Sequence, residues 1–143
     1  MNDINYSLRI AYNEALSGIE GVPVYYQFAP DGANDKTYII FRGINSTDAS
    51  TSNSSDTDTL ITVEIHTWND VTNSGLDADM IAKEVYNRIY PDRTTNLSID
   101  GAQIVNTKLE SDRTDDFREG SGRGMLSRYI TFRHFIYHKN DLS

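Results

Sequence analysis

The segment Leu60-Ile61-Thr62-Val63-Glu64-Ile65-His66-Thr67-Trp68 alternates without a break, and no feature constrains the fold more. Its side-chain period of two sets Ile61, Val63 and Ile65 on one face of a strand. Leu60, Thr62, Glu64, His66 and Trp68 fall on the other. Two further segments are richer still. Thr37 to Ile44 places Ile39 and Phe41 on one face and Tyr38, Ile40 and Ile44 on the opposite one. The closing segment, about Met125 to His138, places Ile130, Phe132 and Ile136 together, with Tyr129, Phe135 and Tyr137 behind them. β-branched and aromatic residues favour such pleated, half-buried surfaces.

Two stretches carry a helical period instead. Ile4, Leu8, Ala11, Ala15 and Ile19, with Leu16 beside them, predict a helix from about Asp3 to Leu16, ended by Ser17-Gly18 and capped by Asn2 or Asp3. Ala78, Ile81, Ala82, Val85 and Ile89 predict a second helix from roughly Leu76 to Tyr90, stopped by Pro91. Between them, Val24 to Phe28 reads as a short strand and Pro30-Asp31-Gly32 as a turn. Asp100-Gly101 predicts a tight hairpin joining Leu97-Ser98-Ile99 to Ala102 onward, because Asp-Gly suits the positive φ angles of a two-residue turn. Asn45 to Thr57 and Glu110 to Gly124 are polar, and both read as flexible loops. The order helix, strands, helix, strands predicts an α+β domain over residues 1–143. Its antiparallel, mainly four- to five-stranded sheet carries two helices on one face.

That architecture leaves a face uncovered. A one-sided sheet alternates apolar-in and polar-out, yet this one is apolar on both sides. Either the chain's own loops and scattered surface aromatics account for the second face, or another subunit covers it. Aromatics interleaved with Arg42 and Arg133 are typical of interface cores, which favours the second reading. The candidate interface is Tyr38, Ile40, Arg42, Trp68, Tyr129, Arg133, Phe135 and Tyr137.

Composition closes off several functions. There is no cysteine, so disulfides, thiolate metal sites and cysteine nucleophiles are excluded. No apolar run is long enough to cross a bilayer. The polar, acidic start lacks a signal-peptide layout, and the Asn-x-Ser/Thr triplets at Asn45, Asn53 and Asn96 read as chance matches. A net charge of −8 opposes wrapping nucleic acid. The acidity serves either solubility or a wall that DNA passes without sticking.

No segment makes a convincing active site. His134 lies between Phe132 and Ile136, the place of a hydrogen-bonded core or interface histidine. His138 is ~13 Å along the same strand, too far to share a metal. His66 has no HExxH or cysteine partner. Glu110, Asp112, Asp115 and Asp116, with Arg113, Arg118 and Arg123, lack EF-hand spacing and read as a solvated charged loop. Gly120-Ser121-Gly122-Arg123-Gly124 lacks the lysine of a phosphate loop and precedes a strand. No serine stands in a nucleophile-elbow context. No cofactor, metal or catalytic residue is assigned.

Taken in order, these pieces resemble the tail-terminator and tail-completion proteins of long-tailed phages. The match comprises the N-terminal helix, Val22-Pro23-Val24-Tyr25, Thr37-Tyr38-Ile39-Ile40-Phe41 and a polar loop. It continues through the strand ending His66-Thr67-Trp68, the helix Ala78 to Ile89, Leu97-Ser98-Ile99-Asp100-Gly101-Ala102, and the last strand. Asp77 and Asp79 at the start of the second helix and the long 45–57 loop depart from that pattern. The resemblance implies a virion protein of the tail or neck, assembled in the host cytoplasm. Such proteins form a ring, usually hexameric, on the tail tube, end its polymerisation and dock the head connector. The implied partners are other copies of the chain, tube protein and connector protein, with genome DNA passing through the lumen unbound. A neck or connector adaptor, or another minor tail structural protein, that does not terminate the tube is the alternative. No membrane and no reaction are involved.

Overall fold

A leucine-and-isoleucine stripe sets how the first helix sits. The computed structural model describes residues 4–19, 21–29, 37–48, 56–69, 74–118 and 124–138. In α1 (Ile4–Leu16), Ile4, Leu8, Ala11, Tyr12 and Leu16 are buried along one side. The helix's last carbonyls have no partner within the helix. Arg88 supplies one, donating from Nη1 to the Ala15 and Ser17 carbonyls, and Gly18 takes the left-handed conformation that lets the chain leave. The proposed Asn2 or Asp3 cap lies outside the described residues. In α2 (Ser74–Ile89), Ala78, Ile81, Ala82, Val85 and Ile89 are buried, as the spacing predicts.

Among the described residues five strands form one sheet: β1 (Val24–Tyr26), β2 (Tyr38–Asp48), β3 (Asp56–Asn69), β4 (Ala102–Arg118) and β5 (Gly124–His138). Their order is β1-β2-β3-β5-β4. All pairings are antiparallel except β1 with β2, which is parallel. Both helices pack on one face. Their buried residues join Ile39, Phe41, Ile61, Val63, Ile65, Ile104, Ile130, Phe132 and Ile136 in a single core. At ~25 cal/mol per Å² of apolar area, this one-sided layer is the main source of stability.

Several sequence expectations need correction. Residues 45–48 and 56–57, expected as loop, are strand, since Asn45 to Asp48 pair with Leu60 to Thr57. Residues 110–118, expected as part of a mobile excursion, belong to β4 and pair with β5 as far as Arg118↔Gly124. In both cases backbone pairing holds polar sequence that would not form a core by itself. The remainders of those two loops, residues 49–55 and 119–123, lie outside the described residues. Leu97-Ser98-Ile99 is not a strand. The Asp100-Gly101 turn exists with only Gly101 at positive φ, and Leu97 and Ile99 plug the core from a coil instead. The first strand stops at Tyr26, where Gln27 turns to φ 73°.

Ile44 also changes sides. The β2–β3 register shifts between Arg42 and Asn45, and Gly43 sits at φ 73° within that bulge. An extra residue in one strand reverses the alternation beyond it. Ile44 therefore packs against the helix-side core rather than sharing a face with Tyr38 and Ile40.

Candidate functional site

The face of the sheet away from the helices gathers the residues singled out in the sequence. Cα register aligns Tyr38 with His66 and Ser127, Ile40 with Glu64 and Tyr129, and Arg42 with Thr62 and Thr131. Farther along it aligns Leu60 with Arg133, Asp58 with Phe135 and Asp56 with Tyr137. β4 completes the rows with Asp115, Arg113, Lys108 and Asn106. Seven of the candidate interface residues thus share this face: Tyr38, Ile40, Arg42, Tyr129, Arg133, Phe135 and Tyr137. The Trp68 side chain lies outside the described residues, although its backbone pairs with Met125.

The face is not the apolar sheet that alternation alone suggests. Tyr38 is 8% exposed and Ile40 is 6% exposed, both enclosed by their own neighbours. The Tyr25 ring lies 6.3 Å from Tyr38, whose other side meets His66 at 5.1 Å. His66 in turn meets Tyr129 edge-on at 6.0 Å. The Arg113 guanidinium stacks 4.3 Å above Tyr129, which is within reach of a cation–π attraction. Farther along, Lys108 and Arg133 each lie 6.0 Å from the Phe135 ring. Arg133 also binds Asp58 at 3.0 Å.

At the centre of the first group sits a buried carboxylate. The Glu64 side chain is 4% exposed and takes both prongs of Arg42, through Nε and Nη2. His66 Nε2 lies 2.9 Å from Glu64 Oε1, and its Nδ1 lies 2.7 Å from Ser127 Oγ. A carboxylate can only accept, so a neutral His66 carries its hydrogen on Nε2, and Nδ1 accepts from the Ser127 hydroxyl. Burial pushes the Glu64 carboxyl up, but the hydrogen bonds from His66 and Arg42 and the Arg42 charge outweigh it. The carboxyl stays below its ordinary range. Burial, and then the Glu64 charge, push the Tyr38 phenol up.

Ser127, His66 and Glu64 have the connectivity of a hydrolytic triad, but Ser127 is 3% exposed, too enclosed for a nucleophile that must meet a substrate. The arrangement works as a polar clasp across β2, β3 and β5. Spacing revealed part of it, since Glu64 and His66 share parity. The Ser127 and Arg113 roles were hidden, the first by a plain strand position and the second by a segment expected to be loop.

The other candidates disperse. His134 faces the helices, on the opposite side from His66, and His138 bonds Thr57 Oγ1 at 2.5 Å. Asp112 also faces the helices, where it binds Arg128 and Tyr86. Arg113 pairs with Asp115 at 2.6 Å. Among the described residues no group of His, Asp and Glu is placed to hold a metal ion. A cleft of about 430 Å³ between the ends of α1 and α2 is lined by Glu14, Arg88, Asn96 and Leu97, and its Arg88 is already engaged on helix carbonyls. No described helix is long and apolar enough to cross a membrane.

Among solved structures, a chain of the virion of a native gene transfer agent (GTA) particle has a similar fold. The TM-score is 0.71 at 17% sequence identity, covering 96% of this chain and 99% of that one. At that identity the likeness speaks for the fold. No protein-family profile matches the chain, and no curated protein matches it in sequence.

Proposed function

We propose that this chain is a structural virion protein that assembles into a hexameric ring on the end of a tail tube, ends its growth and docks the head connector. The observation that carries the reading is the end-to-end likeness to a chain of a virion particle, which leaves almost no part of either chain unmatched. The sequence resemblance to tail-terminator proteins points the same way.

The helix-free face supports self-association. Tyr38, Ile40 and Glu64 are sealed within the protomer, so they form the floor of the face. Phe135, Arg133 and the exposed Tyr137 remain available above it. Arginine and aromatic side chains on an internally braced surface suit an interface core. A ring also requires a head-to-tail contact between unlike patches.

The test is light scattering after size exclusion, alone and with tube protein, followed by electron microscopy of tube ends. A closed ring that stops tube extension is the expected result. Binding to connector protein with no effect on tube length would make the chain a neck adaptor. A monomer that ignores itself, tube and connector at tens of micromolar would overturn the proposal.

A further inference from the structure

The core contains a polar group that packing alone does not require. His134 lies on the helix side of β5 and is 0% exposed. Its Nε2 is 2.5 Å from the Tyr12 hydroxyl on α1, and its Nδ1 is 2.9 Å from Thr107 Oγ1 on β4. Tyr12 is buried as completely, and among the described residues His134 is the hydrogen-bond partner of its hydroxyl. The phenolic hydrogen therefore goes to Nε2. A nitrogen that accepts cannot carry a hydrogen, so the ring's single hydrogen sits on Nδ1 and is donated to Thr107. The result is a directed chain from helix to edge strand: Tyr12 O–H to Nε2, then Nδ1–H to Thr107.

Among the described residues the surroundings offer nothing to neutralise a charge. From β5 itself the Phe132 ring stacks at 6.4 Å, and from α1 the Tyr12 ring stands edge-on at 5.6 Å. β2 presents Phe41, which packs on Tyr12. β3 presents the buried Thr59 opposite His134, and β4 presents Thr107. α2 contributes Tyr86 and Tyr90, which reach Phe132. Among the described residues the titratable groups around the imidazole are thus tyrosines, and burial alone accounts for its shift.

We propose that this chain is a proton-operated latch, in which protonation of His134 unfastens α1 from the sheet. A proton arriving from solvent bonds to Nε2, and both ring nitrogens then become donors. The Tyr12 hydroxyl must turn to accept, leaving its own hydrogen unpaired in an apolar core beside an uncompensated cation. Opening α1 relieves both problems by admitting water, and it uncovers the apolar stripe of Ile4, Leu8, Tyr12 and Leu16. Burial lowers the His134 pKa to about 4, so the latch is closed at neutral pH.

Two-bond proton–nitrogen correlation on the full chain reads the tautomer directly. At neutral pH His134 is expected as the Nδ1–H form. Hydrogen exchange followed through acid should show α1 amides losing protection before those of β3. In His134→Gln, which takes up no proton, α1 protection should persist to a pH lower by about one unit or more. Tyr12→Phe keeps the ring and removes the donor. It should free the tautomer and lower α1 protection at neutral pH, so a poorly folding His134→Gln leaves the idea open to refutation. An Nε2–H tautomer at neutral pH would overturn the latch. So would a native His134 that protonates near pH 6.5 with α1 still protected, or an unchanged opening pH in His134→Gln.

Discussion

Arg128 on β5 grips Asp112 on β4 with two parallel hydrogen bonds, Nε to Oδ1 at 2.9 Å and Nη2 to Oδ2 at 2.7 Å. Its third nitrogen, Nη1, reaches Asp79 on α2 at 2.8 Å, and the Tyr86 hydroxyl of the same helix donates to Asp112 at 2.6 Å. Both Arg128 and Asp112 side chains are 21% exposed. This cluster ties α2 to the β4–β5 ribbon.

Asp112→Asn should therefore destabilise the protein by about 1–3 kcal/mol in urea unfolding at neutral pH, the usual range for a partly buried charged pair that loses one partner. Burial pushes the Asp112 carboxyl up, but bonds from Arg128 and Tyr86 hold it below its ordinary value. A depressed folded pKa means the contribution is complete above the unfolded aspartate pKa of about 3.9 and fades as pH falls below it. The gap between wild type and Asp112→Asn should close in acid. A gap that persists unchanged at low pH would assign the loss to packing.

Gly43 carries the bulge that turns Ile44 inward. A Cβ there would meet nothing within 4 Å, so the obstacle to a larger residue is the φ of 73° alone. Gly43→Ala should cost about 1 kcal/mol, and Gly43→Asn less, because asparagine tolerates the left-handed region. A much larger loss would mean that the strand slips register and moves Ile44 out of the core.

That bulge also marks how far the sequence could be read. Ile61, Val63 and Ile65 alternate over an unbroken ladder, so their common core face was legible, as was the buried stripe of α2. His134 could be read only as a core or interface histidine, and the structure places it in the core. Ile44 was misplaced because a single inserted residue is invisible to a period-two count. Glu110 to Arg118 was missed because an edge strand can be charged throughout. Its register with β5 shifts around Val105 and Glu110, and bulges and charges of this kind keep edge strands from pairing with strangers. On the helix-free face, parity placed Tyr38, Ile40 and Tyr129 together. It could not show that Arg113 would come from β4 to cover Tyr129.

The buried imidazole predicts a second pH dependence of opposite origin. His134 is depressed to about 4 in the folded chain and titrates near 6.5 when unfolded. The unfolded state therefore takes up the proton first. Stability is complete above about pH 6.5, falls as pH drops toward 4, and changes no further from this group below that. The difference corresponds to roughly 3 kcal/mol. Urea midpoints across this window should fall in wild type and flatten in His134→Gln. The Asp112 contribution stays constant across this window and fades only below about pH 3.9, which separates the two effects.

The assembly reading turns on which layer of the molecule meets its neighbour. Tyr137 on the helix-free face is 37% exposed, and Met80 on the outer side of α2 is 51% exposed. Neither belongs to the buried core, so Tyr137→Asp and Met80→Asp should each leave the protomer's stability within about 0.5 kcal/mol. If the helix-free face is the ring contact, Tyr137→Asp places an unpaired carboxylate in a desolvated patch. Association should weaken at least tenfold, as read by mass photometry, while Met80→Asp assembles as wild type. The reverse pattern would move the interface to the helix layer. If neither substitution changes association, the contact lies at the strand edges, and the braced face of Glu64, His66 and Arg113 serves the protomer alone.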